Sequence, residues 1–376
     1  MVDNRQVRQP LPLPGNKDQT GRKHLRAAAA VLLVITGFLL VSQLINIYLP
    51  KNVAALDIPA LDRKLKDIKQ QGSRFDFLFL GSSRIYRGID AIEIDQEAGK
   101  RGCDINTYNF GIAGLSILEQ KYVLDRLHES GVGIDSIYIE PYSVPIRDTD
   151  NFFSDRRRYS YTWNNLPSLL IDQLTEPDKT KDAVRRERIR YMLFAFIQEQ
   201  SGVGRLSHLI FPQPAKHQRQ WDSPIRKGYL PLDEESAPKF KARKKRFSRR
   251  AGKFMKEIEK AIEHPNKSRN SKNRYSLVLG VVNHIHSMSI TPGVIIMPKP
   301  AYISHARDLE SRLIKETSGS LPIINLNSPV HYSDLFTLDN FYDGSHLSDQ
   351  GARVLAVHLA NELCTLKGQQ SQNAVY

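Results

Sequence analysis

The chain has 376 residues, 40% of them hydrophobic and 25% charged, with 22 Gly and 20 Pro. That is room for one large domain or two small ones, and it excludes wholesale disorder and fibrous architectures. The net charge of +14 is localised: residues 181–275 hold 25 Lys and Arg against 10 Asp and Glu, so the rest of the chain is close to neutral. A basic block of this kind suits nucleic acid, anionic lipid headgroups or an anionic polymer. Two cysteines, Cys103 and Cys364, are too few for a disulfide scaffold, a thiolate zinc site or an iron–sulfur cluster. They can form one bridge in an oxidising compartment, and their spacing speaks neither for nor against it.

In chain order, residues 1–26 carry Pro10, Pro12, Pro14 and Gly15 among polar residues and predict a disordered basic tail. Residues 27–50 contain no charge. As a helix they extend about 36 Å, against a hydrocarbon core of about 30 Å. Arg22, Lys23 and Arg26 precede this stretch, and positive charge stays on the cytoplasmic side. A single-pass anchor with a cytoplasmic N-terminus and an extracytoplasmic bulk is therefore expected. The alternative is a cleaved signal peptide, with Val53-Ala54-Ala55 as cleavage site, although its apolar region would be shorter. An exported domain removes nucleic acid from the partners of the basic block and leaves lipid headgroups or acidic envelope polymers.

Residues 51–73 read as a polar stalk with a short amphipathic helix at 61–70. Beyond it, short apolar runs at 75–80, 105–110, 134–139, 293–297 and 321–326 predict buried parallel strands. Helical patterns at 118–130, 302–316 and 349–366 separate or follow them. Strands alternating with helices predict an α/β fold. Here that means a flavodoxin-like three-layer α/β/α domain over 74–366, with a five-stranded, mostly parallel sheet and a ligand site at the carboxyl ends of the strands. Residues 150–275, rich in Arg, Lys, Tyr and Phe, read as a helical basic insertion between the third and fourth strands. Residues 367–376 form a C-terminal tail. The basic run 239–260 predicts either an amphipathic helix on anionic headgroups or a solvated charged face.

Two loops carry candidate chemistry. The first strand ends in Gly81-Ser82-Ser83-Arg84. A serine there projects into the crevice above the sheet, where helix N-terminal amides stabilise developing negative charge. Ser82 or Ser83 can equally be a plain helix cap. The second loop, Asp343-Gly344-Ser345-His346, offers an imidazole base and an orienting carboxylate just before the last helix; Asp-Gly is also a common turn dipeptide. Arg84 and Arg87 suit a substrate carboxylate or phosphate, or acids on neighbouring loops. Asn283-His284-Ile285-His286 sits in a helical pattern, where residues two apart diverge, so no metal is expected there. No phosphate-loop or dinucleotide fingerprint is present, and no cofactor is expected.

The two loops together resemble the SGNH/GDSL hydrolase superfamily, in which a Gly-Asp-Ser block follows the first strand and an Asp-x-x-His block precedes the last helix. The resemblance covers about 75–145 and 290–366. It implies Ser83 as nucleophile, with Ser82 in place of the usual Asp, and Asp343 and His346 as its partners. Asn109-Phe110-Gly111-Ile112-Ala113-Gly114 resembles the second block, which implies an oxyanion amide from Gly114 beside that of Ser83. Asn109 then becomes a candidate substrate contact. The third block departs: Ile139-Glu140-Pro141-Tyr142-Ser143 lacks the oxyanion asparagine, and Tyr142 or Ser143 would have to help. One lost donor costs about 10²–10³ in rate. More loosely, the anchor and these blocks resemble extracytoplasmic members that act with membrane acyltransferases on envelope glycopolymers. The expectation is a serine esterase or acyltransferase for acyl esters of an envelope carbohydrate or anionic glycopolymer. The alternative is a non-catalytic scaffold that binds polymer or a membrane acyltransferase.

Overall fold

The computed structural model describes residues 17–48, 59–72, 74–141, 161, 163, 165–175, 182–202, 226–235, 237–264 and 274–373. The chain divides into two units, residues 1–55 with 197–213 and residues 56–196 with 214–376. In the first, helix α1 runs Lys17–Tyr48, and its stretch His24–Ile45 is long and apolar enough to cross a membrane. Its large apolar side chains from Val31 to Leu44, with Ile47 and Tyr48, are exposed.

The second unit is an α/β domain. Its elements in order are α2 (Pro59–Gln71), β1 (Phe75–Gly81), α3 (Ser83–Gly88), α4 (Ala91–Gly99), β2 (Thr107–Gly111), α5 (Ile117–His128) and β3 (Ile134–Ile139). Between β3 and β4 lie α6 (Leu166–Thr175), α7 (Asp182–Ser201, which continues into the first unit), α8 (Pro238–Ser248), α9 (Ala251–Glu263) and α10 (Arg274–Ser287). Then follow β4 (Thr291–Ile296), α11 (Ile303–Glu316), β5 (Ile323–Asn325), the short pair β6 (Phe341–Asp343) and β7 (His346–Leu347), and α12 (Asp349–Asn373). The main sheet is five-stranded and parallel in the order β2-β1-β3-β4-β5. This is the flavodoxin-like order expected from the alternation of strands and helices.

The apolar runs are strands because both faces of the sheet are covered. In β1, Leu78 and Leu80 pack with Leu61, Leu65 and Ile68 of α2 and with Val278, Val281, Val282 and Ile285 of α10. Phe77 and Phe79 point the other way, into a core with Ile94 and Ala98 of α4 and Leu355, Leu359 and Leu363 of α12. Spacings of three and four residues on those helices give each one apolar stripe. Each fully buried Leu or Phe contributes roughly 1.5–3 kcal/mol.

One expectation is corrected here. The predicted stalk, 51–73, contains a helix that belongs to the α/β domain, because Leu61, Leu65 and Ile68 of α2 lie in its core. Lys64, on the same helix, is 2% exposed and donates to the carbonyls of Asn109 (2.7 Å) and Gly228 (2.8 Å). Burial holds its ammonium well below the ordinary lysine value. The polar face that suggested a stalk is thus a buried clasp.

Cys103, just after α4, is bonded to Cys364 of α12, with Cα atoms 5.9 Å apart. The bridge ties the first third of the domain to its last helix. Replacing both with serine is expected to cost about 2–5 kcal/mol, since the loop it closes is long. Urea unfolding of the Cys103→Ser/Cys364→Ser chain measures this; unchanged stability would show that the link constrains nothing.

Candidate active site

The parallel register brings the carboxyl ends of β1, β2 and β3 to one edge, with Gly81 opposite Gly111 and Leu80 opposite Ile139. Gly81 must be glycine: a Cβ there would lie 2.5 Å from Glu140 Cβ and 2.5 Å from Ile85 Cγ1. Ser82 caps α3, its Oγ accepting the Arg84 N–H at 3.2 Å, and is buried. The capping role therefore falls to Ser82 and leaves Ser83, the first helical residue, half-buried with its hydroxyl free for other work. Beneath this turn the Glu140 carboxylate, 1% exposed, accepts the Ser82 N–H at 2.7 Å and pairs with Arg84 Nε at 2.7 Å.

The second loop is a tight hairpin. β6 and β7 pair antiparallel, with Asp343 opposite His346. Asp343 Oδ1 accepts the N–H groups of Ser345 (2.8 Å) and His346 (3.1 Å), so the carboxylate closes its own turn. The same carboxylate lies 2.9 and 3.1 Å from His346 Nδ1. On the other side of the ring, His346 Nε2 lies 2.9 Å from Ser83 Oγ. The two side chains of the hairpin are each 8% exposed. With Nδ1–H donating to Asp343, Nε2 is left to accept from the serine hydroxyl. A hydrogen-bonded relay of hydroxyl, imidazole and carboxylate is thus assembled across 263 residues of sequence.

Charge surrounds this relay. Burial pushes the Asp343 carboxyl up, but the His346 hydrogen bond and charge, the Arg243 guanidinium and the Ser345 N–H outweigh it and hold the group below its ordinary value. Arg243, from α8, reaches Asp343 Oδ2 at 3.1 Å. Lys299, at the end of β4, is pushed down to about 8 by burial and by Arg84, against the pull of Glu140 and Asp343. Its ammonium sits 3.7 Å from the centre of the Tyr302 ring.

Of the residues singled out from sequence, Ser83, His346 and Asp343 converge. Gly114 occupies a turn closed by the Leu115 N–H on Ile112 O, with φ of 73°, which favours glycine. Among the described residues its N–H has no acceptor, and neither has that of Ser83. Arg84 borders the serine but is engaged by Glu140. Arg87 and Asn109 are corrected: both face the interior. Arg87 donates to Leu230 O at 3.0 Å and pairs with Glu235. Asn109 is fully buried, and its Nδ2 donates to the carbonyls of Ile85 (2.7 Å) and Ile89 (2.6 Å) at the end of α3. Their polar groups are engaged inside the protein, Asn109 holding the end of the helix that carries Ser83. Tyr142 and Ser143 lie outside the described residues. His284 pairs with Asp125 at 2.7 Å, and among the described residues no cluster of His, Cys, Asp or Glu is arranged for a metal.

Sequence reasoning missed Glu140, Lys299 and Arg243. Glu140 had a signal: a carboxylate closing the otherwise apolar run IYIE is buried, and a buried charge needs a partner. Lys299 and Arg243 had none, because only the fold brings them to the site. No protein-family model matches the chain, and no curated protein matches it in sequence.

Two outcomes check this geometry. Glu140→Ala removes the buried carboxylate that accepts the Ser82 N–H and pairs with Arg84, and is expected to cost about 3–5 kcal/mol in urea unfolding, the range for breaking a buried pair. Lys299 binds a proton less readily in the folded chain than the ~10.4 of free lysine. Between about pH 8 and that value the unfolded chain binds more protons, so this group's contribution to stability rises with pH. Subtracting the stability–pH curve of Lys299→Gln from that of the wild type should give a rise confined to that window.

Proposed function

We propose that the protein is a membrane-anchored, extracytoplasmic serine esterase or acyltransferase of SGNH-like character, acting on acyl esters of an envelope carbohydrate or glycopolymer. The observation that carries this reading is the continuous relay from Ser83 Oγ through His346 to Asp343, with both links at 2.9 Å. The hydroxyl is half-exposed while its base and carboxylate are buried, the arrangement of a nucleophile that a substrate must reach.

In this mechanism His346 Nε2 takes the Ser83 proton as Oγ attacks the ester carbonyl carbon. The carbonyl oxygen becomes an oxyanion, for which the Ser83 and Gly114 amides are the available donors. When the tetrahedral species collapses, the carbon–oxygen bond to the leaving alcohol breaks and His346 returns the proton to that alcohol. Water or a sugar hydroxyl then attacks the acyl-serine, giving its proton to His346. Release of Ser83 with that proton completes the cycle, as hydrolysis in the first case and as transfer in the second. Asp343 keeps Nδ1 protonated and stabilises the imidazolium that forms twice per turnover.

The envelope location is supported by three features. α1 has the length and composition of a span, and Arg22, Lys23 and Arg26 sit at its N-terminal side. The Cys103–Cys364 bridge belongs to an oxidising compartment. A membrane acyltransferase that supplies the acyl group is the partner this topology suits. The absence of an oxyanion asparagine after β3 favours a second reading, a scaffold of the same fold that binds polymer without turnover.

A fluorophosphonate probe decides between them. The full chain should be labelled and Ser83→Ala should not, with turnover of a small acetyl ester falling by at least ~10³-fold in the variant. Equal labelling of both would remove Ser83 from the chemistry and leave the scaffold.

A further inference from the structure

Beside the relay lies a cleft of about 300 Å³, lined by Arg243, Arg246, Arg250, Lys253, Glu257 and the Asp343–Gly344 turn, with Phe247 and Phe254 among its walls. Its cations come from α8 and α9, and two observations separate them from an ordinary solvated surface. First, the helices are docked by other groups. Phe247 meets Phe254 edge-on at 4.9 Å, and Phe254 meets Phe341 of β6 at 4.9 Å, two residues before Asp343. Lys244 pairs with Asp233 at 2.9 Å, and Arg243 with Asp343. Among the described residues Arg246, Arg250 and Lys253 have no ion-pair partner. Second, Arg250 and Lys253 stand at the start of α9, which carries no acid in its first turn and no side-chain cap. Cations at the positive end of a helix dipole cost stability, so Lys253 is not placed there by the dipole of α9, while Arg246, in the last turn of α8, is favoured by that of its own helix.

We infer that this cleft takes an anionic segment of the substrate, carboxylate- or phosphate-bearing repeats of a polymer, while the ester bond of the same chain meets Ser83. This rests on the proposed acyl chemistry and names the substrate class of that site. The cleft and the relay share Asp343, so a chain long enough to fill one is delivered to the other. A lipid surface is the weaker occupant. An interfacial helix presents its large apolar side chains outward, whereas Phe247 and Phe254 face inward and only Ile262 is an exposed large apolar residue across α8 and α9.

The test uses the full chain in neutral detergent with two O-acetylated oligosaccharides of equal length, one a polyuronate and one uncharged. The wild type is expected to prefer the polyuronate in kcat/KM by about tenfold or more, an advantage that shrinks with salt. Arg246→Gln/Arg250→Gln should abolish the preference, and Lys256→Gln/Lys260→Gln, equal in charge and outside the cleft, should keep it. Equal turnover of the two oligosaccharides by the wild type, or equal loss in both double variants, overturns the inference. Binding of deacetylated polyuronate to Ser83→Ala, measured by calorimetry, separates the two proposals. If it survives in Ser83→Ala and is lost on adding Arg246→Gln/Arg250→Gln, the cleft stands even where no ester is turned over. If the Arg246 and Arg250 changes weaken only sedimentation with phosphatidylglycerol vesicles, the occupant is a membrane and the inference fails.

Discussion

Glu140 is a charge with almost no access to water, and the geometry around Ser83 follows from how that charge is satisfied. A buried carboxylate is tolerated only when opposite charge and N–H donors surround it. Here they come from Arg84 and the Ser82 amide. Both belong to the turn that carries Ser83, so the partners that make Glu140 tolerable also fix the direction in which the serine hydroxyl leaves the sheet. The register of β1 against β3 sets Glu140 next to Gly81, and the missing Cβ at Gly81 lets the strand ends come close enough for those bonds. Sheet pairing, one glycine and one ion pair therefore act as a single positioning device.

The second half of the site is held from several directions. The α12 helix is capped by Ser348, whose Oγ accepts the Gly351 N–H at 3.1 Å. Its first amide, Asp349 N–H, reaches Asp233 at 2.8 Å. The strap 226–235 that supplies Asp233 also crosses the other half: Lys227 O accepts the Asn109 N–H at 3.1 Å and Leu230 O accepts from Arg87. Gly228 in this strap has φ of 83°, and a Cβ on it would lie 1.9 Å from Asn109 O. The insertion is thus more than a decoration on one surface. One of its segments fastens the helix of Ser83 to the helix after His346, and another brings Arg243 to the Asp343 carboxylate.

Much of this was legible in the residues. Apolar runs such as FDFLFL and GVIIM read as buried strands, and their alternation with helices pointed to a flavodoxin-like, mostly parallel sheet, whose strand order the structure supplies. The pairing of Gly-Ser-Ser with Asp-x-x-His pointed to loops that meet. What failed to show were properties that depend on the third dimension of a particular contact. Asn109 and Arg87 are polar residues near the Ser83 turn, and sequence cannot tell a side chain that faces a ligand from one that satisfies backbone carbonyls. The helix α2 lies in a stretch polar enough to read as a stalk, yet its Lys64 ammonium is buried and finds two backbone carbonyls. Arg243 lies a hundred residues from Asp343, in a run so rich in cations that nothing marks it out.

The bond between Ser83 and His346 has a consequence for the life of the chain before it is whole. A ribosome making this protein lays down Ser83 263 residues before His346. Until the hairpin is made, the serine is an alcohol with no imidazole beside it. A polypeptide released before the β6–β7 hairpin therefore lacks the Ser83–His346–Asp343 relay altogether, and with it whatever the relay does.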